Sequence, residues 1–438
     1  MTEEVARRRA PIHYGWVVLA VSTLSVFALL GLGRFGYTMV LPAMQKDLGL
    51  SNALAGSLAT ANLAGYAAMS VLGGALAARY GTRSVVPLGL AIAGVGMGLT
   101  GLAQGFAGAA LWRVVTGVGT GFANVPLAAL PGAWFARRLR GLGSGIVVSG
   151  SSIGLILVGP LVPRLLANSG PGGWRMVWWI YGVVTLAIAV LAHVFLRNRP
   201  ADKGLSPVGM TEKPAPASVA MGSVSPTADA TIEPAAAPLA PVAISAAWKT
   251  IVRKPIVWHL GLVYFTFGLA YLAFMTFFTK HLITSGGYTE QAAGDLYMLL
   301  GWCTVVSGVV WGVVSDHIGR KWALALVYLI QATSFALFAL WQTPAGFTTA
   351  AVVFGLSAWS VPAIMAATCT DIFGARLAPA AFGCLTLFFA VGQAAGPAVA
   401  GAIADATGSF VAAFLLASGV AVLGALGAAF LGSTHRSG

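Results

Sequence analysis

The sequence predicts an all-α membrane protein of twelve transmembrane helices, arranged as two six-helix bundles related by a pseudo-twofold axis. The chain has 438 residues, of which 58% are hydrophobic and only 8% are charged. A soluble domain needs more charge than this to keep its surface wetted, so the composition indicates a protein that faces lipid. Twelve long apolar stretches and an internal repeat support the same fold class.

Each of the twelve apolar stretches is long enough to cross a bilayer, which takes about 20 residues of helix. In the first part of the chain they lie at 14–42, 52–78, 84–104, 107–132, 141–166 and 175–196. In the second part they lie at 256–282, 291–315, 322–341, 346–371, 380–404 and 409–432.

A low-complexity segment separates the two sets of stretches. It spans 197–248 and combines eight prolines with many Ala, Ser and Thr residues. Such a composition cannot bury a core. We therefore predict an N-terminal bundle at 1–196, a cytoplasmic central loop at 197–248 and a C-terminal bundle at 249–438.

The basic residues predict the orientation. Nineteen of the 25 Lys and Arg residues lie at the two ends, in the central segment or in gaps on the same side of the predicted bundle. Because positive residues concentrate on the cytoplasmic side, both termini are expected there, in a multi-pass protein of a bacterial inner membrane. The formal net charge of +13 then reflects topology, and we expect the lipid bilayer, and no nucleic acid, as a partner.

An internal repeat relates the two bundles at an offset of 238 residues. The loop after stretch 2 reads Gly74-Ala-Leu-Ala-Ala-Arg-Tyr-Gly-Thr-Arg83, and the loop after stretch 8 reads Gly312-Val-Val-Ser-Asp-His-Ile-Gly-Arg-Lys321. A parallel six-plus-six repeat is typical of transporters that rock two halves around a central site.

These loops resemble the signature loop of the major facilitator superfamily, and the resemblance implies a transporter of that fold. The second copy matches the loop pattern well, whereas Ala78 stands where the first copy would carry its acid. Gly396-Pro397 and Asp405-Ala-Thr-Gly-Ser409 are similar to oxalate–formate and monocarboxylate transporters. We expect the two loops to form a gate latch, with the residues Arg79, Gly81, Arg83, Gly312, Asp316, Gly319 and Arg320.

Ionisable groups inside the bilayer are costly and usually functional. Arg34 is predicted deep in stretch 1 and Arg113 in stretch 4, whereas none of the twelve acids falls at the centre of a stretch. A membrane interior with arginines and no central carboxylate suits an anion, because guanidinium offers a two-pronged hydrogen bond to a carboxylate. For Arg113, the resemblance to the superfamily implies a helix-packing or coupling role as the competing interpretation. Arg34 could instead bond backbone carbonyls or reach the interface.

Further polar residues could complete a substrate site. The expected set is Tyr37, Asn62, Tyr66, Asn124, Tyr264, Tyr271, Lys280 and Gln393. Each could equally bond a neighbouring helix, and an interfacial position is the competing interpretation of Lys280. Asp295 and Asp371, near the ends of their stretches, are the candidates for proton coupling.

The function expected from these features is secondary active transport of a small organic anion, with a monocarboxylate as the expected substrate. Proton symport and anion exchange both remain open, so protons are a second expected partner. A proton-coupled multidrug or metabolite exporter is the first alternative, and a non-transporting membrane sensor is the second. The sequence has no HExxH motif and no phosphate-binding loop, so neither an enzyme nor a cofactor is expected, and the protein is expected to act as a monomer.

Overall fold

A computed structural model describes residues 13–170, 172–210 and 251–431 of the chain. Twelve long helices account for most of the described residues. The first six, which we call the N half, are α1 (Tyr14–Leu48), α2 (Asn52–Tyr80), α3 (Thr82–Thr100), α4 (Phe106–Trp134), α5 (Arg140–Ser169) and α6 (Gly173–Phe195). The last six, the C half, are α7 (Pro255–Thr284), α8 (Glu290–Ile318), α9 (Arg320–Leu340), α10 (Pro344–Gly374), α11 (Ala380–Thr407) and α12 (Val411–Ala429).

The predicted fold class is confirmed. Ten of these helices are long and apolar enough to cross a membrane by themselves, and the bent helices α2 and α8 bring the number to twelve. An even number of spans places the start of α1 and the end of α12 on one side of the membrane. We call this the terminal side, and the opposite side the far side.

The repeat is visible in the backbone. Helices α2 and α8 begin and end 238 residues apart, and they bend by 41° and 42° at equivalent positions. Gly81 and Gly319 follow them with φ of 83° and 86°, a conformation that residues with a Cβ rarely adopt. Two more pairs at the same offset, Gly49 with Gly287 and Gly170 with Gly408, also have positive φ.

Helix α1 contains a π-helical segment, Phe27–Phe35, which includes Arg34. The segment ends where the N–H of Gly36 donates to the carbonyl of Gly31, five residues earlier. Gly31 packs directly on α5, because a Cβ on Gly31 would lie 2.7 Å from the Cα of Gly154. Such π segments are frequent at functional sites because they re-aim side chains within a helix.

The first part of the predicted central loop packs against the N half. The backbone N–H of Val208 donates to the carbonyl of Trp134 at 2.9 Å, and the N–H of Ala136 donates to Val208 at 2.9 Å. The side chain of Asn198 accepts a hydrogen bond from the N–H of Arg83 at 2.9 Å. The rest of the predicted loop, from 211, lies outside the described residues.

The two halves pack together on the far side. A Cβ on Gly159 in α5 would lie 2.3 Å from the carbonyl oxygen of Gly294 in α8. The pseudo-symmetric contact joins α2 and α11, where a Cβ on Gly56 would lie 2.1 Å from the carbonyl oxygen of Pro397. Backbones this close require glycine.

On the terminal side the equivalent positions stand apart. A Cβ on Gly145 in α5, Gly312 in α8 or Gly383 in α11 would meet no heavy atom within 4 Å. The described part of the chain is therefore closed toward the far side and separated toward the terminal side.

Candidate functional site

A small cavity lies between the two halves near the middle of the membrane-spanning helices. Its volume is about 10 Å³, room for roughly one water. Four of the predicted substrate-binding residues line it, together with side chains of α7. The polar lining residues are Arg34, Tyr37, Thr38, Asn62, Arg113 and Thr276.

Arg34 presents unused hydrogen-bond donors to this region. Its Nε and Nη2 atoms are enclosed and have no hydrogen-bond partner. The guanidinium lies over the ring of Tyr66, 4.8 Å from the ring centre, and beside the hydroxyl of Tyr271 in the C half. Its position between the halves, with free donors, fits contact with a ligand.

Arg113 has a different environment. It is buried, and its Nη1 donates to the carbonyl of Gly33 in the π segment at 2.6 Å. The guanidinium also stacks over Tyr37, 4.7 Å from the ring centre, and Trp178, at 5.2 Å. These contacts hold α1, α4 and α6 together, so Arg113 supports the packing around the cavity while adding its charge.

No carboxylate neutralises these two arginines within the described residues. The acids that form ion pairs there are Asp47, with Arg175, and Asp316 and Asp371, with Arg320. Two guanidinium groups beside one cavity, in a medium of low dielectric constant, make the local potential positive. The site can attract an anion and would repel a cation.

Side chains of both halves surround Arg34. In the N half, the amide of Asn124 donates to the hydroxyl of Tyr66 at 3.3 Å. In the C half, the amide of Gln393 donates to the hydroxyl of Tyr271. Tyr264 and Tyr271 both stack on Phe389, with ring centres 4.5 Å and 6.0 Å away, so these two predicted residues share one wall.

An aromatic stack forms the wall of the C half. Tyr264 stacks on Phe389 with ring centres 4.5 Å apart, and Phe267 stacks on Tyr271 at 4.8 Å. All four rings are nearly parallel. Such a wall can cover the apolar part of a ligand whose charged group meets Arg34.

Asn62 and Tyr37 bond to neighbouring helices. The amide of Asn62 donates to the backbone carbonyl of Arg113 at 3.2 Å, and the hydroxyl of Tyr37 donates to the carbonyl of Ala55 at 2.6 Å. Both side chains still line the cavity. Their bonds fix its shape.

Lys280 lies outside the cavity, in a far-side cluster that joins the halves. Its ammonium group donates to the side chains of Gln45 and Asn52. In the same cluster, the carboxylate of Asp405 accepts hydrogen bonds from the backbone N–H groups of Asn52, at 2.9 Å, and Ala53, at 2.8 Å. Asp405 thus caps the N-terminus of α2, where the helix dipole favours negative charge.

The predicted latch residues of the terminal side form contacts within one half. Arg320 donates to Asp316 at 2.5 Å and to Asp371 at 2.9 Å, and all three residues belong to the C half. In the first copy, where Ala78 replaces the acid, Arg79 stacks over the ring of Tyr80. Among the described residues, neither copy of the loop hydrogen-bonds to the opposite half.

Asp295, a predicted coupling residue, lies near the far-side end of α8. It is exposed and accepts a hydrogen bond from Gln291 on its own helix at 2.9 Å. This placement separates it from the central cavity, whereas Asp371 belongs to the ion-pair cluster of Arg320.

Sequence reasoning missed several residues that join the halves. The Thr38 hydroxyl donates to the carbonyl of Met275 at 2.9 Å, and Thr60 donates to the carbonyl of Ala394 at 2.5 Å. Trp359 donates to the hydroxyl of Ser152 at 3.3 Å and packs on Phe35. Small hydroxyl residues and one tryptophan in apolar helices give no sequence signal that distinguishes them from ordinary packing residues.

Two features typical of enzyme sites are a metal-binding cluster and a hydrolase nucleophile motif. The described chain contains no group of three or more His, Cys, Asp or Glu side chains that could hold a metal ion. Gly150–Gly154 has the G-x-S-x-G spacing of a hydrolase nucleophile, but it lies inside α5 and not at a strand-to-helix turn. The hydroxyl of Ser152 in that string accepts a hydrogen bond from Thr304 of the C half.

Comparison with known proteins decides the family. Residues 23–294 match the sequence model of the Major Facilitator Superfamily, and residues 228–428 match that of the uncharacterised MFS-type transporter YbfB. The first match covers more than half of the chain. The chain belongs to the major facilitator superfamily. As a member of this superfamily it is a membrane transporter and not an enzyme, as the sequence predicts.

Individual relatives have low but extended similarity to this superfamily member. The hexuronate transporter of Bacillus subtilis is 24% identical over 90% of this chain and 89% of its own length. The probable sulfoacetate transporter SauU of Cupriavidus necator is 24% identical over 95% of this chain and 93% of its own length. Human monocarboxylate transporter 12 is 24% identical over 69% of this chain and 58% of its own length.

A solved structure has the same fold. The bacterial homologue of the human lysosomal transporter Spinster, in an inward-facing and unoccupied conformation, matches with a TM-score of 0.70. The match covers 95% of both chains at 17% identity. The superfamily fold is therefore confirmed independently of close sequence similarity.

Proposed function

We propose that this protein is a secondary active transporter that moves a small organic anion, expected to be a monocarboxylate, by alternating access. The observation that carries the proposal is the pair of guanidinium groups beside the central cavity, without a paired carboxylate in the described chain. Arg34 is the principal anion contact, because its Nε and Nη2 atoms have no partner. Relatives named for hexuronate, sulfoacetate and monocarboxylate, which are all anions, also support a negatively charged substrate.

The contacts between the halves support alternating access. The far-side contacts at Gly159 and Gly56 close one side, and the free positions at Gly145 and Gly312 leave the other side separated. We assign the terminal side to the cytoplasm of a bacterial inner membrane, because most Lys and Arg residues lie there. On this assignment the described conformation faces inward.

Two coupling modes fit the site. Anion exchange needs no proton-binding side chain in the protein. In proton symport, the substrate carboxylate itself could carry the proton, because no described acid lines the cavity. Uptake driven by an imposed pH gradient, compared with uptake driven by an internal load of the same anion, separates the two modes.

Transport assays with Arg34 variants test the proposal. Purified protein in proteoliposomes is assayed for uptake of radiolabelled small carboxylates, after a thermal-shift screen of carboxylates against amphipathic cations. We expect Arg34→Ala to reduce uptake at least about tenfold, because it removes a charge-assisted hydrogen-bond pair. Arg34→Lys keeps the charge without the two-pronged geometry, so its uptake should be intermediate.

The matched control is Arg164→Ala, which removes an exposed arginine on α5 outside the cavity. Its uptake should equal that of the wild type. Stabilisation by amphipathic cations and not by carboxylates would contradict the anion site and favour the exporter alternative. Unchanged uptake in both Arg34 variants would exclude Arg34 as the anion contact.

A further inference from the structure

The buried amide of Gln393 has an unused acceptor beside the anion site. Its side chain lies in α11 and is 1% exposed. The Nε2 atom donates to the hydroxyl of Tyr271, whereas the Oε1 atom is enclosed and has no hydrogen-bond partner. An enclosed carbonyl oxygen without a donor is costly, so this atom is suited to receive a hydrogen bond from a bound molecule.

Tyr271 links the free acceptor of Gln393 to the free donors of Arg34. The hydroxyl of Tyr271 touches the Gln393 amide on one side and lies beside the Arg34 guanidinium on the other. Arg34 Nε and Nη2 belong to the N half, and Gln393 Oε1 belongs to the C half. A single small ligand could therefore complete hydrogen bonds of both halves.

The two sets of atoms require different groups on that ligand. A carboxylate has only acceptors, so it satisfies Arg34 and leaves Gln393 Oε1 facing another oxygen. A ligand that also carries a hydroxyl next to the carboxylate supplies the missing donor. Two other polar side chains near Arg34 already have partners, since Asn124 bonds Tyr66 and Asn62 bonds the backbone of Arg113.

We propose that Gln393 determines specificity by accepting a hydrogen bond from the hydroxyl of a 2-hydroxy monocarboxylate whose carboxylate binds Arg34. The inference rests on the proposed anion-transport function and narrows its substrate class. The aromatic stack of Tyr264, Phe267, Tyr271 and Phe389 then faces the remaining apolar part of the ligand. Acids that lack the hydroxyl leave Gln393 Oε1 unsatisfied in the closed site and bind more weakly.

Pairs of acids that differ only in this hydroxyl test the proposal. Binding of glycolate against acetate, and of mandelate against phenylacetate, is measured by titration calorimetry on the purified full-length protein. We expect the wild type to bind the hydroxy acid of a pair roughly tenfold or more tightly. The ratio of the two dissociation constants in the wild type tests the proposal even where a variant fails to fold. A ratio near one, in every pair of acids that binds, overturns the proposal.

Variants test whether Gln393 causes the preference for the hydroxy acid. Gln393→Leu should bring the ratio of the two dissociation constants close to one, mainly by weakening the hydroxy acid. The matched control is Gln331→Leu, which removes another buried glutamine whose amide donates to the carbonyl of Ser357 in α10. This control should keep the wild-type ratio. A preserved ratio in Gln393→Leu also overturns the proposal.

The experiments distinguish failure of the proposed anion-transport function from failure of the proposed role of Gln393. If the anion site itself is wrong, the wild type binds neither acid of any pair, and Arg34→Ala changes nothing. If only the role of Gln393 is wrong, both acids bind, Arg34→Ala weakens both, and the hydroxyl makes no difference.

Discussion

The far side and the terminal side of the molecule contain similar residues in different arrangements. On the far side, glycines of α5 and α8 touch across the halves, and Lys280 and Asp405 connect α7 and α11 to α1 and α2. On the terminal side, the equivalent glycines meet no neighbour, and Arg320 pairs with acids of its own half. Among the residues that the structure describes, the charged cluster that joins the halves therefore lies where close backbone packing already brings the helices together.

The difference between the two sides shows what the first copy of the signature loop lacks. Ala78 cannot cap a helix of the opposite half from the terminal side, whereas Asp405 caps α2 from the far side. On the terminal side only the second copy of the loop keeps its acid, Asp316, which bonds to Arg320 of its own half among the described residues. The far-side-closed arrangement therefore has a cap between the halves, at Asp405, that the first copy of the loop cannot match. The comparison predicts unequal populations of the two conformations.

The largest expected effect comes from filling a far-side glycine contact. Gly159→Val places a side chain where a Cβ alone would lie 2.3 Å from Gly294. Overpacking of this kind costs about 1–3 kcal/mol, so we expect the far side to open with a roughly tenfold or larger change in the population ratio. Spin labels at the exposed positions Arg164 and Glu290, with the three native cysteines replaced, report the far-side distance by pulsed electron paramagnetic resonance.

The control on the same helix is Gly145→Val, at a position with no neighbour within 4 Å. It should leave the far-side distance distribution unchanged. Equal distributions in both valine variants would show that the far-side contact does not hold the halves together.

A smaller effect is expected from Asp405→Ala. The carboxylate makes two hydrogen bonds to backbone N–H groups at the start of α2, but it is exposed, so each is weakened by solvent. A loss of about 1 kcal/mol corresponds to a roughly fivefold shift toward the far-side-open form. The same spin-label distances measure it, and the shift should shrink at high salt.

Asp295→Ala is the matched control for this variant. Asp295 is also an exposed acid near the far side, but it bonds only to Gln291 on its own helix. A shift as large as that of Asp405→Ala would return Asp295 to the role in coupling that the sequence predicts.

The smallest effect is expected at the terminal side. Arg320→Ala removes two partly exposed ion pairs within the C half, which contribute about 1 kcal/mol or less each. The melting temperature in detergent should fall by a few degrees, while the far-side distance stays the same. Arg79→Ala, which loses only a contact with the Tyr80 ring, should change the melting temperature less. A far-side shift in Arg320→Ala would contradict a role confined to the C half.

Much of the fold follows from the sequence because it depends on local composition. Apolar runs and glycine turns mark the twelve helices, and the repeat at 238 residues relates Gly81 to Gly319 and Gly49 to Gly287. The sequence also predicts a positive electrostatic potential at the cavity, because no acid falls at the centre of an apolar stretch. Arg34 and Arg113 lie beside the same cavity, as this reasoning requires.

The remaining features depend on contacts between distant segments. Lys280 and Asp405 are near helix ends in the sequence, and only the packing of α7 and α11 on the N half brings them to Asn52. The different environments of Arg34 and Arg113 depend on which carbonyls α1 presents. The π segment that presents them has no sequence signal, because an apolar run with glycines fits an α-helix equally well.

The π segment of α1 has a consequence for how this site could change. A π turn closes over one residue more than an α turn, so it rotates Arg34 relative to the rest of the helix. Removing one residue between Phe27 and Gly33 is expected to restore the ordinary pitch and to shift the side chains within the segment relative to the cavity. The donors that Arg34 presents to the cavity therefore depend on the pitch of α1 as well as on the identity of the side chain.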